Sequence, residues 1–293
     1  MGINERRAIY HPLFTNTTFP GDQYSLMKHG CVTSQHYFSA IFSQFILDHI
    51  DQHKHYILLS SSYLSVPNAA NQLVETMLPQ LGSRFKRSML QRRRVASVDF
   101  ATLTRQQRLS YTHYLEFDYV LSELQGQSVI VVDDAYVTGM HERAIRDRLQ
   151  SVVGDIQFFY LLDLSGHKEA VLESDINQIA VRNLLDVLPL RHHPEFRYNT
   201  RVLKLLLHAV DEDFLSYLSI LPSSELTLIA QQCASEGFDE LNDHFKSRLQ
   251  LLQYLISCRE KAGAGVDFRS SGNFGSLHSN HNLALSIGDG LMT

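Results

Sequence analysis

The sequence predicts an α/β fold, a mostly parallel sheet covered by helices, followed by an α-helical C-terminal region. Three observations carry this. Short apolar runs alternate with helix-period segments over residues 50–165, the pattern of parallel strands joined by right-handed helical crossovers. The run Ser128-Val129-Ile130-Val131-Val132 is apolar without alternation, as in a strand buried on both faces. From Thr200 to Arg259 the period is helical only.

Residues 1–30 read as irregular, punctuated by Pro12, Pro20, Gly21 and Gly30. A helix follows over Thr33–His49, with Tyr37, Phe38, Ile41, Phe42, Phe45 and Ile46 at helical spacing. Tyr56–Leu59 is too short for a helix and ends in Ser60-Ser61-Ser62-Tyr63, so it reads as a strand. Asn68–Leu81 is the next helix, with Ala69, Ala70, Leu73, Val74 and Met77 on one face. Arg92-Arg93-Arg94 leads into a short strand at Val95–Val98, and residues 99–118 form a long polar connection without a period. Such a connection inside a compact domain is usually functional or mobile. Gly126 marks a turn before the strand Ser128–Val132, and a helix starts after Gly139 and runs to Val153. Gly154 closes it, and Ile156–Leu162 is another buried strand. Ile176–Val181 is a weaker strand and Leu184–Leu188 a short apolar segment. Helices are expected at Val202–Val210, Asp213–Leu221, Ser224–Glu236 and Phe238–Arg259, the third opened by Pro222, Ser223, Ser224 and Glu225. The expected organisation is therefore an α/β unit over 1–198 and a helical region over 199–261. A Gly-, Ser-, Asn- and His-rich tail over 262–293 has the composition of a disordered segment.

Hydrophobic residues make up 44% and charged residues 19%, as in an ordinary globular protein. The balance of 26 Lys and Arg against 31 Asp and Glu, net −5, argues against a general nucleic-acid-binding surface. No apolar run reaches the ~18–20 residues of a membrane span, and Met1 to His11 has no apolar segment of a secretory signal. Cys31, Cys233 and Cys258 are far apart and odd in number, which suits reduced thiols and a cytoplasmic location. His49, His53, His55, His192 and His193 match no zinc spacing.

The most informative local feature is Val129-Ile130-Val131-Val132-Asp133-Asp134-Ala135-Tyr136-Val137-Thr138-Gly139. A buried strand delivers two adjacent carboxylates at its C-terminal end, where open α/β sheets bind ligands. The loop Ala135 to Gly139 then feeds a helix start, whose free N–H groups attract phosphate, and Gly139 lets the backbone approach closely. Asp133 and Asp134 are placed to accept hydrogen bonds from a ribose diol. The same residues also suit a helix cap or a metal site.

This segment resembles the phosphoribosyl-pyrophosphate (PRPP) motif of the type I phosphoribosyltransferases, whose sheet is Rossmann-like. The wider stretch, including Ser60 to Ala70 and Thr138-Gly139-Met140-His141-Glu142, is similar to phosphoribosyltransferase-like proteins of bacterial tellurium-resistance, stress and defence gene clusters. The resemblance covers about residues 30–190. It implies transfer or release of a phosphoribosyl group, with Asp133 and Asp134 on the ribose diol. Ala135, Tyr136, Val137, Thr138 and Gly139 would hold the 5-phosphate, and Ser60, Ser61, Ser62 and Tyr63 the diphosphate. Arg94, with Arg92 and Arg93 beside it, would neutralise the diphosphate, and Arg105 and Arg108 would close over the site. Mg²⁺ is implied as a complex with the ligand, touching Asp133 and Asp134 at most and needing no protein cage. Met140 and His141 stand where many relatives have a Thr or Ser phosphate ligand, and His141 is a substitute donor there. The resemblance also implies a homodimer, and it leaves open a non-catalytic nucleotide or PRPP sensor. That sensor would be an accessory subunit in a stress or anti-phage assembly of the retron type, docking a protein or nucleoprotein through the C-terminal helices.

Overall fold

The computed structural model describes residues 6–11, 19–93, 103, 106–107, 116–165 and 171–261. Its centre is a parallel sheet of β1 (Arg6–Tyr10), β2 (Tyr56–Ser60), β3 (Phe85–Arg87), β6 (Ser128–Tyr136) and β7 (Asp155–Asp163), in the order β1-β7-β6-β2-β3. A small antiparallel pair, β4 (Gln91–Arg92) with β5 (Phe117–Asp118), lies beside it. The helices are α1 (Gly21–Lys28), α2 (Val32–His49), α3 (Ala69–Leu81), α4 (Leu121–Leu124), α5 (Met140–Leu149) and α6 (Val171–Asn177), then α7 (Thr200–His208), α8 (Asp211–Ser219), α9 (Ser223–Ser235) and α10 (Asp243–Lys261). The predicted α/β class with a helical C-terminal region is what the chain adopts.

The two central strands explain why their sequences lack alternation. Ile130, Val132, Phe159 and Leu161 face a core shared with α2 and α3, while Val129, Val131, Phe158 and Tyr160 face a second core shared with α5. With both faces covered, every position is apolar. A third core unites Val181, Leu184 and Val187 with the C-terminal helices, and Val66 from the loop after β2 joins it. Buried Asn199 ties these parts together: its amide nitrogen donates to Lys28 O at 3.2 Å and to Gln72 Oε1 at 3.0 Å, and its Oδ1 caps α7 through Val202 N at 3.0 Å.

Several expectations are corrected. The described residues among 1–30 are not irregular, since they contain β1 and α1. Pro20 and Gly21 sit at the start of α1, where breakers are tolerated because the first N–H groups have no intrahelical acceptor. Ile176–Val181 is not a strand; Ile176 lies in the last turn of α6 and packs in the α2–α3 core, whereas Val181 belongs to the C-terminal core. Phe238–Arg259 is not one helix. Gly237 takes a φ of 66°, a short 3-10 turn follows, and Asn242 Oδ1 accepts from Phe245 N at 2.8 Å to start α10 afresh. β6 runs on to Tyr136, so Asp133 and Asp134 lie in the strand, with Asp133 in register with Tyr160. The predicted strand at Val95–Val98 and the tail over 262–293 lie outside the described residues. Among the described residues no helix is long and apolar enough to cross a membrane.

Candidate functional site

A cleft of about 480 Å³ opens at the C-terminal ends of β2 and β6. Its floor is Asp133 and Asp134, and its phosphate-loop side is Ala135 to Gly139 with the first turn of α5. Ser61, Asn68 and Arg92 form another side, Lys28 a third, and Arg201, Lys204 and His208 of α7 complete the wall. The helical C-terminal region therefore contributes side chains to the cleft.

The loop geometry follows from Gly139. Its φ is 72°, and it is the residue before α5, which no side chain caps. An α-helix leaves its first four N–H groups without intrahelical acceptors, and here Met140, His141 and Glu142 line the cleft. The macrodipole makes that end attractive to an anion. A Cβ at position 139 would lie 3.0 Å from Tyr136 Cζ and 3.2 Å from Cε2, so the Tyr136 ring presses on the turn and only glycine fits.

The two acids are already engaged. Asp133 Oδ1 accepts from Ser61 Oγ at 2.8 Å and from Asp134 N at 3.0 Å, and its Oδ2 faces His141 Nδ1 at 2.8 Å. Asp134 Oδ1 accepts from Ala135 N at 3.0 Å, while Oδ2 takes the Lys28 ammonium and, at 3.3 Å, the Tyr24 hydroxyl. Burial pushes the Tyr24 hydroxyl well above its ordinary value, so it stays a donor. A carboxylate has about four lone-pair sites, and each acid spends three, which leaves one acceptor site apiece toward the cleft. Lys28, 7% exposed, answers the charge of Asp134, which is 8% exposed.

Arg92 is a half-buried cation in the cleft wall. Its Nε donates to Ser62 Oγ at 3.3 Å, and no carboxylate among the described residues forms an ion pair with it. Desolvation pulls its guanidinium below the ordinary value, opposed by Glu236 and Asp133. Arg93 beside it is exposed and spent on Asp118, at 2.9 and 2.5 Å.

The predicted site residues divide accordingly. Asp133, Asp134, Ala135 to Gly139 and Ser61 line the cleft. Ser62 and Tyr63 line a small neighbouring pocket that shares Arg92 and Lys204 with it. Ser60 is buried at the end of β2, its Oγ has no partner among the described residues, and it does not line the cleft. Arg94, Arg105 and Arg108 lie outside the described residues. Lys28, Tyr24, Arg201, Lys204 and His208 were not singled out from sequence. Helical spacing does place Arg201, Lys204 and His208 on one face of α7, a signal that lacked only a reason to look at that face.

The loop after β2 is held by the C-terminal region. Buried Glu236 Oε1 accepts from Ser65 N and Val66 N, each at 2.6 Å. Burial pushes its carboxyl above the ordinary value, against the two N–H groups and Arg92, which pull it down. A raised value means stability that is present below the ordinary glutamate range and is lost as pH rises through the raised value. Glu236→Ala strands the buried Val66 N–H and the part-buried Ser65 N–H and is expected to cost about 1–3 kcal/mol. Glu236→Gln keeps the acceptor without the charge and is expected to stay within about 1 kcal/mol of the parent at pH 7, losing that part of the pH dependence. Urea denaturation of both variants from pH 4 to 8 checks this.

A family model described as PRTase ComF-like matches residues 10–252. No curated protein matches the chain. Among solved structures the chain is similar to a hypoxanthine phosphoribosyltransferase from Staphylococcus aureus, at 14% identity over 51% of this chain and 68% of that one, with a TM-score of 0.31. It is also similar to the hypoxanthine phosphoribosyl transferase of Trypanosoma cruzi, at 12% identity over 50% of this chain and 67% of that one, with a TM-score of 0.25.

Proposed function

The chain belongs to the PRTase ComF-like family, and from that premise we propose that its cleft binds PRPP and transfers or releases the phosphoribosyl group. The 5-phosphate lies on Val137 to Gly139 and the uncapped start of α5, where N–H groups and the helix dipole favour an anion. The ribose diol takes the last acceptor site of Asp133 and of Asp134. Ser61 and Arg92 receive the diphosphate, whose charge grows as it leaves C1.

Two carboxylates with one free acceptor site each also fit Mg²⁺ shared with diphosphate and diol oxygens and water. Such an ion, when bound, neutralises the departing diphosphate. Asp133 and Asp134 would hold it, while Lys28 orients Asp134 in either case.

The observation that carries the reading is Arg92, a desolvated guanidinium in the cleft wall with no ion-pair partner among the described residues. A half-buried cation without an ion-pair partner favours an anion, and a diphosphate beside the uncapped helix start supplies one. Arg92→Gln is expected to weaken PRPP binding about 10–100-fold, the loss of a charged hydrogen bond, and to leave ribose 5-phosphate binding unchanged. Equal losses for the two ligands, measured by calorimetry, would place the diphosphate elsewhere. Diphosphate release separates the enzyme from the alternative of a sensor that binds without turnover.

A further inference from the structure

The helical C-terminal region reaches the cleft through α7, whose sequence sorts its two faces. Val202, Leu203, Leu206 and Leu207 are buried in the C-terminal core, whereas Thr200, Arg201, Lys204, Leu205 and His208 line the cleft. The two sets alternate at helical spacing, so packing one face turns the other toward the cleft. The start of the helix is fixed. Thr200 N donates to Pro67 O at 3.3 Å, in the segment between β2 and α3, and Asn199 donates to Lys28 O and Gln72 Oε1.

Lys204 differs from the other basic residues of that face. It lines both the cleft and the small neighbouring pocket, as Arg92 does, whereas Arg201 and His208 line the cleft alone. The small pocket also holds Glu236, one carboxylate beside these two cations. Burial pushes the Glu236 carboxyl up, and the Val66 and Ser65 N–H groups, then Arg92 and Lys204, pull it down. Both cations are therefore near enough to act on the same carboxylate. Glu236 itself does not line the cleft, and its Oε1 is committed to Ser65 N and Val66 N. Toward the cleft this corner presents positive charge from two elements, Arg92 of β4 and Lys204 of α7.

A diphosphate carries charge on two phosphate groups, and cations bind phosphate oxygens through charge-assisted hydrogen bonds. We propose that Lys204 is a second diphosphate ligand beside Arg92, so that the helical C-terminal region is part of the site and favours a two-phosphate chain over a single phosphate. This inference rests on the cleft being the PRPP site. It assigns to α7 a share of the charge that is neutralised when diphosphate leaves C1.

The test is calorimetry of the full chain with magnesium PRPP, magnesium diphosphate and ribose 5-phosphate, at about 0.15 M salt, where longer-range charge effects are screened. Lys204→Met removes the charge and leaves the packed face of α7 intact, so its melting temperature is expected to match the parent's. It is expected to weaken PRPP and diphosphate about 10–100-fold, the loss of a charge-assisted hydrogen bond, and to retain ribose 5-phosphate affinity. Lys204→Arg keeps the charge and is expected to recover most of the loss. Glu236→Gln separates a direct contact from an indirect one. A lysine that served only to steady Glu236 and its loop would make both variants weak. A lysine on the diphosphate leaves Glu236→Gln with PRPP affinity equal to the parent's or higher, because an anion beside the two cations is gone. Parental PRPP affinity in Lys204→Met would overturn the proposal. So would equal losses for PRPP and ribose 5-phosphate, or a loss in Glu236→Gln matching that in Lys204→Met. Weakening of PRPP by Arg92→Gln but not by Lys204→Met would sink this inference and spare the cleft reading, whereas failure of the parent chain to bind PRPP would remove both.

Discussion

Lys28→Met is expected to lower stability by about 3–5 kcal/mol at neutral pH, the cost of leaving a buried charge without its partner. Lys28 and Asp134 form an ion pair with side chains 9% and 11% exposed, and α1 is joined to β6 through it. Without the ammonium, Asp134 keeps only the Tyr24 hydroxyl at 3.3 Å and Ala135 N at 3.0 Å. Neither carries a charge. The pair as a whole contributes much less than its removal costs, because both ions were desolvated to form it. A second substitution, Asp134→Asn in the Lys28→Met background, is therefore expected to restore a large part of the loss. Urea denaturation of the single and double variants measures the coupling. A loss below about 1 kcal/mol in Lys28→Met would mean that the pair is solvated in the folded chain, as surface pairs are.

Gly139→Ala is expected to weaken both PRPP and ribose 5-phosphate binding by about 100-fold or more, the scale of an ångström-sized misplacement in a site. Two costs combine. The left-handed φ of 72° is strained for any residue with a Cβ, by roughly 1–2 kcal/mol. The new Cβ also collides with Tyr136, whose Cζ would lie 3.0 Å away. The Tyr136 ring is flanked on two sides: it meets Tyr160 edge-on with centroids 5.3 Å apart, and the Arg6 guanidinium lies 3.8 Å from its centroid. Relief by shifting the loop displaces the N–H groups that face the phosphate. A melting curve shows whether the variant still folds; calorimetry with the two ligands shows whether the loop binds. Parental affinity in Gly139→Ala would mean that the ligand does not use this backbone.

The segment Val131 to Gly139 was legible in the sequence because all its signals are local. The apolar run, the paired acids and the turn glycine follow one another, and each restricts the backbone by itself. Lys28 could not be found that way. Its partner lies 106 residues along the chain, and the helix that carries it opens with Pro20 and Gly21, which read as punctuation. The buried face of α1, Tyr24, Ser25, Met27 and Lys28, mixes apolar with polar residues because it packs partly against the cleft. β1 was missed for a related reason. It is short, it begins with Arg6 and Arg7, and only pairing with β7 makes it a strand.

His141 illustrates the limit from the other side. The sequence placed it beside the phosphate loop, as a substitute donor. Its bond to Asp133 closes over the first turn of α5, a contact that depends on β6 continuing through the acids to Tyr136. Ending the strand at Val132 left both acids just past its end, ahead of the loop from Ala135, and hid that geometry. The wall formed by Arg201, Lys204 and His208 likewise appears only when α7 is docked against α1 and α3 through Asn199.

The central claim is that one cleft holds both phosphate groups of PRPP, the 5-phosphate at Gly139 and the diphosphate at Arg92. Calorimetric titration of the full chain with magnesium PRPP and with ribose 5-phosphate tests it directly. The prediction is that both bind at one site, PRPP more tightly, with that advantage lost in Arg92→Gln and both affinities lost in Gly139→Ala. No binding of either ligand by the parent chain, or equal binding of the two that neither substitution alters, would contradict it.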